Sequence, residues 1–289
     1  MKTKFEIAII GTGPAGISSA LNCRSRNKDF VVIGPSEGSS KISKAKMIDN
    51  YLGLDNISGA ELNNIIMDTI KKNNFEHISQ QASVVYSLPE GFFIELNDGT
   101  NIEASAVIVA TGVNFPNKIK GEDKFLGNGV SYCATCDANL YKNKDVVVIG
   151  YNQEAIDEAR FLSSICSSVT FVNLTGKKAQ FNDTIEVVED KVLEFVGGEK
   201  AEKLVMESRE LTADGFFVIR DARNAYDLIP GIEMDRNHIM VDKDFYTNIP
   251  GLYACGDVTG LPYQIQKAAG QGNVAGLSAS KFVEQKKKN

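Results

Sequence analysis

The sequence holds only two histidines, His77 and His238, and both are isolated. Cysteine is sparse as well: five in 289 residues, of which only Cys133 and Cys136 lie close together. A structural zinc site needs a second ligand pair, commonly another CxxC or two histidines at fixed spacing, and none is present. An iron–sulfur cluster needs about four suitably placed thiolates, so this chain carries no cluster of its own. The odd cysteine count also argues against a structural disulfide framework. Positive charge is short, with 31 Lys and Arg against 37 Asp and Glu, a net charge of −6. That excludes a general nucleic-acid surface, and Lys286-Lys287-Lys288 reads as a solvated tail. No apolar run is long enough to span a bilayer. The start, "MKTKFEIAIIGTG", enters a short apolar run that ends in a glycine turn, unlike a signal peptide. The expected location is the cytoplasm.

What is present begins with that turn. "FEIAIIGTGPAGISSALNCRSRN" reads as strand, glycine loop and helix, and Gly11, Gly13 and Gly16 complete GxGxxG. The first glycine permits the tight turn, the second lets a pyrophosphate approach the backbone, and the third lets helix pack on strand. The phosphate would sit at the helix N-terminus, where free N–H groups and the dipole favour an anion. A second apolar run, "DFVVIGPSE", ends at Glu37, an acid placed to bond ribose hydroxyls. "ASAVIVATG" and "IPGLYACGDVTG" are further buried-strand patterns that close in small-residue turns. Both would reach the carboxyl edge of a parallel sheet, where ligands bind.

The pair Cys133-Ala134-Thr135-Cys136 can form a small-ring disulfide. A CxxC lowers the pKa of one thiol, and the thiolate is the nucleophile of disulfide exchange. Cys23, Cys166 and Cys255 sit in apolar patterns and read as small core residues. A second strand–loop–helix pattern, "DVVVIGYNQEAIDEA", follows the CxxC, but its loop Gly150-Tyr151-Asn152-Gln153-Glu154-Ala155 has one glycine only.

In order along the chain, "GTGPAG", "IDNYLG", "VIVATG", "GVSYCATCDANLY", "VVVIG", "GLYACGDV" and "AAGQGNVAG" resemble the low-molecular-weight thioredoxin reductases, over nearly the whole length. The resemblance implies an α/β fold of two Rossmann-like, three-layer ββα domains, the CxxC domain inserted in the FAD domain. Mapped here, 1–113 and 245–289 would bind FAD and 114–244 would be the inserted domain. It also implies a homodimer. Gly11, Gly13, Pro14, Ala15 and Gly16 would cradle the pyrophosphate, and Glu37 would bind the adenosine ribose. Asn50, Thr111 and Gly112 would lie along the cofactor. Gly256 and Asp257 would meet the ribityl chain, and Gln264 and Ile265 the isoalloxazine. Two departures stand in this half. Lys41, assigned to the cofactor, closes the stretch Gly38-Ser39-Ser40-Lys41 where the family has GGQ, and Tyr263 replaces the usual Arg. In the family's chemistry Cys136 faces the flavin, Cys133 attacks the partner disulfide and Asp137 handles the proton of the departing thiolate.

The same family takes electrons from NADPH bound to the inserted domain, and there the motifs fail. Asn152 replaces the middle glycine and crowds a pyrophosphate. Glu154 puts negative charge in the first helical turn, which opposes a phosphate. The strand "SVTFVN" continues "LTGKKAQ", without the Arg cluster for a 2′-phosphate; Lys177 and Lys178 lack Arg's bidentate fork. Arg220-Asp221 stand where a glycine turn is expected. Intact FAD loops, an intact CxxC and degraded NADPH loops resemble the ferredoxin-dependent flavin thioredoxin reductases of anaerobic bacteria. That implies thioredoxin as substrate and reduced ferredoxin as donor. Lys41, Lys44 and Lys46, or Lys118 and Lys120, are candidates for a ferredoxin-docking patch, with a solvated loop the equal alternative. An NAD(P)H-dependent reductase with an atypical site and a flavin-bearing redox sensor are the competing readings.

Overall fold

The fold is that of a computed structural model, which describes residues 2–35, 42–54, 56–113, 118–181, 185–220 and 228–288, the side chain of Cys136 excepted. By packing, the chain divides into two units. One comprises Met1–Ser43, Met47–Asn114 and Arg223–Asn289; the other comprises Lys44–Lys46 and Phe115–Ala222.

The first unit is built on a seven-stranded sheet. Its parallel part runs Glu76–Ile78, Phe30–Ile33, Lys4–Ile10, Asn101–Val109 and Leu252–Ala254. The long strand Asn101–Val109 is shared: its last residues pair with Leu252–Ala254, and its first with the antiparallel hairpin Ala82–Leu88 and Gly91–Leu96. Strand alternation sorts the side chains onto two faces. Ile7 and Ile9 pack with Ala15, Ala20, Ala275 and Ala279 of the helices Pro14–Ser25 and Ile265–Lys286. Ala8 and Ile10 face the other way, into a core that also holds Ile229, Ile232 and Ile239.

That second face differs from the sequence expectation. Residues up to 244 were assigned to the inserted domain, yet 228–241 belong to the first unit. Leu228, Met234 and Val241 cover the same apolar face, and the Val85 N–H donates to the Leu228 carbonyl at 2.8 Å. Their apolar side chains are buried only by returning to that sheet, so the second boundary falls about twenty residues earlier than the reading of 245.

The second unit has a five-stranded parallel sheet in the order Ile185–Val188, Ser168–Asn173, Asp145–Gly150, Gly215–Ile219 and Val130–Ser131. A three-stranded antiparallel sheet, Val192–Val196, Lys203–Met206 and Glu210–Thr212, accompanies it. The helix Gln153–Ser163 buries Ala155, Ile156, Ala159 and Leu162 against the parallel sheet. Spacings of three and four residues put these on one stripe. Glu158 sits on that same stripe and is buried with it.

Candidate active site

In the first unit the strand ends Ile10, Val109 and Ala254 are in register, so the turns after them share the carboxyl edge. Close packing locks them together. A Cβ on Gly11 would lie 2.1 Å from the Ala110 carbonyl oxygen, and one on Gly16 only 1.9 Å from the Gly11 oxygen. Gly256, at φ +83°, would meet the Ala15 methyl at 2.9 Å. Gly13 is different: nothing lies within 4 Å of the position its Cβ would take. The cradle is therefore tight behind and open in front, as an approaching diphosphate requires. The helix Pro14–Ser25 supplies the rest. Its N-cap is Gly13, with no side-chain cap, proline opens the first turn, and no acid stands there. Its first N–H groups are left to bind an anion. These residues fit a dinucleotide cofactor.

Other assigned positions gather nearby. Thr111 and Gly112 follow Val109, and Asp257 opens a short 3₁₀ turn after Gly256, whose N–H donates to Gln271 Oε1 at 2.8 Å. Gln264 is the N-cap of the helix that Ile265 begins. Asn50 is exposed in a turn tied to that helix through the Leu52 N–H and Gln266 Oε1 at 3.3 Å. Tyr263, the departure from the family's arginine, shares a 2.8 Å hydrogen bond with His238 Nε2. Glu37 and Lys41 lie outside the described residues.

In the second unit Cys133 is disulfide-bonded and buried, and Cys23, Cys166 and Cys255 are free thiols. The turn Ala134–Asp137 is one helical turn, with the Asp137 N–H donating to the Cys133 carbonyl at 3.3 Å. Ser131 Oγ accepts from the Cys133 N–H at 3.1 Å, and Thr135 Oγ1 lies 3.4 Å from Cys133 Sγ. The Ala134 N–H donates to Glu158 Oε2 at 2.8 Å. Glu158 was missed in the sequence, although an acid within the stripe Ala155, Ala159, Leu162 is the signal that marks a buried carboxylate. Burial pushes its carboxyl up from the usual range, and the Ala134 N–H opposes that.

The second nucleotide-type loop is filled by the protein itself. Asn152 is the N-cap of Gln153–Ser163, and its Oδ1 accepts from the Ala155 N–H at 3.1 Å, a donor that a phosphate would otherwise use. Glu154 stands in the first turn. Gly150 is held for packing, since a Cβ there would meet the Phe171 ring at 2.4 Å. Asn173, at the next strand end, is committed to the Lys177 carbonyl and to Glu189 Oε1 at 2.9 and 3.0 Å.

Arg220, on the neighbouring strand end, forms a buried ion pair with Glu122. The Tyr132 hydroxyl donates to the same carboxylate, and the Ile119 N–H donates to its other oxygen at 2.8 Å. The guanidinium lies 5.7 Å from the Tyr151 ring centre and 5.9 Å from that of Tyr132. Burial and the Glu122 carboxylate hold the Tyr132 hydroxyl far above its ordinary range. Sequence reading saw Arg220 only as a missing glycine. Its partner lies 98 residues away, and no local signal joins them.

Three of the candidate docking lysines are locally balanced, and Lys41 lies outside the described residues. Lys44 and Lys118 both pair with Asp123, at 2.9 and 2.8 Å, and Lys120 pairs with Glu194 at 2.7 Å. Among the described residues no helix is long and apolar enough to cross a membrane.

An open glycine cradle in one Rossmann-type unit and a CxxC turn whose Cys133 is disulfide-bonded in another define a nucleotide-cofactor disulfide oxidoreductase. The chain belongs to the pyridine nucleotide-disulphide oxidoreductase family, whose model matches residues 5–272. It is similar to a ferredoxin-flavin thioredoxin reductase from Clostridium acetobutylicum, with 42% identity, all of both chains covered and a TM-score of 0.61. It is also similar to the thioredoxin reductase of Streptococcus pyogenes, at 27% identity over 99% of this chain and 100% of that one, with a TM-score of 0.86. The thioredoxin reductase of Helicobacter pylori strain J99 is 32% identical over 97% of this chain and 99% of its own. The activity class is FAD-dependent disulfide oxidoreduction.

Proposed function

We propose that this chain reduces the disulfide of thioredoxin through FAD and the Cys133–Cys136 dithiol, with electrons from reduced ferredoxin rather than NADPH. The observation that carries the donor choice is the contrast between the two loops: Gly13 faces open space, whereas Asn152 caps its own helix. The buried Arg220–Glu122 pair stands at the strand end beside that second loop. A nicotinamide dinucleotide would have to displace these internal contacts.

FAD, when bound, would supply the redox chemistry that links one-electron input to two-electron reduction of a disulfide. Gly11, Gly13, Pro14, Ala15 and Gly16 would hold its diphosphate, and Glu37, Lys41, Asn50, Thr111, Gly112, Gly256, Asp257, Gln264 and Ile265 would complete the binding surface. The protein's own chemistry is then thiol exchange. The Cys133 thiolate attacks one sulfur of the thioredoxin disulfide and expels the other as a thiolate, which Asp137 protonates. The Cys136 thiolate attacks Cys133 Sγ, closes the internal disulfide and releases the second thioredoxin thiolate. Cys133 is buried in its disulfide form, so the turn must become accessible during the cycle. We further propose a cytoplasmic homodimer.

The test is anaerobic mixing. Reduced ferredoxin is expected to bleach the flavin and release thiols from oxidised thioredoxin. Rapid bleaching by micromolar NADPH or NADH would sink the donor assignment.

A further inference from the structure

The Ala134 N–H is the first amide of the CxxC turn, directly after Cys133, and Glu158 takes it at 2.8 Å. In such turns the leading amides and nearby positive charge stabilise the thiolate of the first cysteine. Here the leading amide is turned to a carboxylate instead. Glu158 projects from the buried stripe of Gln153–Ser163, and Ala134 and Ala138 pack with Ala155, Ile156, Ala159 and Leu162 in the same cluster. The carboxyl is thus held against the turn beside a shared apolar cluster. The strands under this helix offer it no counter-charge, because Asp145–Gly150, Ser168–Asn173, Gly215–Ile219 and Ile185–Val188 carry no Lys, Arg or His. The turn itself carries Asp137 and, beyond it, Tyr141, and Glu154 lies on the same helix. Among the described residues no cation is paired with Glu158.

We propose that Glu158 is a positioning residue that withholds the Ala134 amide from Cys133 and sets a negative charge beside the turn, which keeps the dithiol a strong reductant. This rests on the reading that Cys133–Cys136 is the dithiol that reduces the partner protein. A neighbouring carboxylate disfavours a thiolate. A thiolate disfavoured in this way is a more basic nucleophile, and the reduced pair gives up its electrons more readily, the reverse of oxidants whose reduced form is stabilised. Burial and Glu154 move the Glu158 carboxyl upward, and the Ala134 N–H opposes them by favouring the ionised form that sets the charge beside the turn.

The experiment uses the FAD-loaded full chain carrying Cys136→Ser, with Glu158, Glu158→Gln or Glu158→Ala. Iodoacetamide alkylation is followed against pH, and peptide mass spectrometry separates Cys133 from Cys166. Glu158→Gln keeps an acceptor for the Ala134 N–H and removes the charge, so the alkylation midpoint of Cys133 is expected to fall by about one pH unit, about tenfold in proton affinity. In the chain with both cysteines, Glu158→Gln is expected to shift the dithiol–disulfide equilibrium with a reference dithiol toward the reduced form by a similar factor. A Gln variant that matches the parent in both measurements overturns the proposal, even if Glu158→Ala is altered, because then Glu158 only packs. The readouts use neither ferredoxin nor thioredoxin. Failure of the donor assignment therefore leaves this result standing, and loss of the thioredoxin adduct by the Cys136→Ser chain would count against the dithiol reading alone.

Discussion

The two glycine loops of this chain share a backbone plan and differ in who occupies the helix N-terminus. In the first, a glycine N-cap leaves the donors free and the space before them empty. In the second, an asparagine N-cap uses the donor itself, an acid stands in the first turn, and a buried Arg–Glu pair braces the adjacent strand end. A Rossmann-type unit can keep its fold when its own side chains satisfy the groups that a bound nucleotide would otherwise satisfy. Gly150 is required by packing against Phe171 and Ala155, whereas the position of Asn152 needs a glycine only when a phosphate approaches the backbone.

The comparison can be broken or sharpened in order of effect. The largest change concerns the cysteines of the CxxC turn. Cys136→Ser and Cys133→Ser should each lower turnover by on the order of a thousandfold or more, the scale of losing a nucleophile. Only Cys136→Ser should trap thioredoxin as a stable mixed disulfide on a non-reducing gel; an adduct with Cys133→Ser alone reverses the two roles.

Next comes the brace. Glu122→Ala leaves Arg220 buried without its carboxylate and should cost about 3–5 kcal/mol in urea unfolding. The double change Glu122→Leu with Arg220→Met should recover most of that. Equal losses in single and double variants would mean that the pair is not what holds the strand end.

Making the first loop like the second is a smaller perturbation. Gly13→Asn introduces a self-capping side chain into the open cradle and should weaken FAD binding about tenfold or more, read as flavin absorbance retained after dialysis. Unchanged flavin content would show that the open face is not the diphosphate side.

The reverse change is smaller still. Asn152→Ala should cost about 1 kcal/mol and Asn152→Gly only a few tenths, by thermal unfolding of the full chain. Neither should confer bleaching by NADPH, because Arg220 and Glu122 remain. Bleaching in Asn152→Gly would place the whole block at one residue.

The smallest effect at neutral pH concerns the thiols under the first loop. Burial pushes both Cys23 and Cys255 up to about 12. A raised thiol pKa adds stability that is complete below the ordinary value of 9.0 and is lost as pH rises toward about 12. Both should escape alkylation near pH 8 in the folded protein and react only after unfolding.

Much of the first unit was legible because its constraints are local. Gly11 and Gly16 have no room for a side chain, and such needs show as glycine at fixed spacing. The strand runs were legible as apolar segments ended by small-residue turns. The segment 228–241 was not, because its weak apolar pattern could cover either sheet, and only the folded chain shows which face it closes. Glu158 was half legible: its stripe marks burial, but the amide it meets belongs to another element.

The sequence by itself determined the chemistry of short reach: a glycine cradle for an anion, a cysteine pair able to cycle, and a second loop that had lost its middle glycine. Spacing of a few residues fixes those geometries wherever the loop is placed. The tertiary structure decided which groups occupy the second loop and its strand end, and which acid meets the CxxC turn. Arg220 finds Glu122, and Ala134 finds Glu158, only because sheet order and helix packing bring distant segments together. Burial then makes each encounter matter, since a charge or an amide away from water must have a partner.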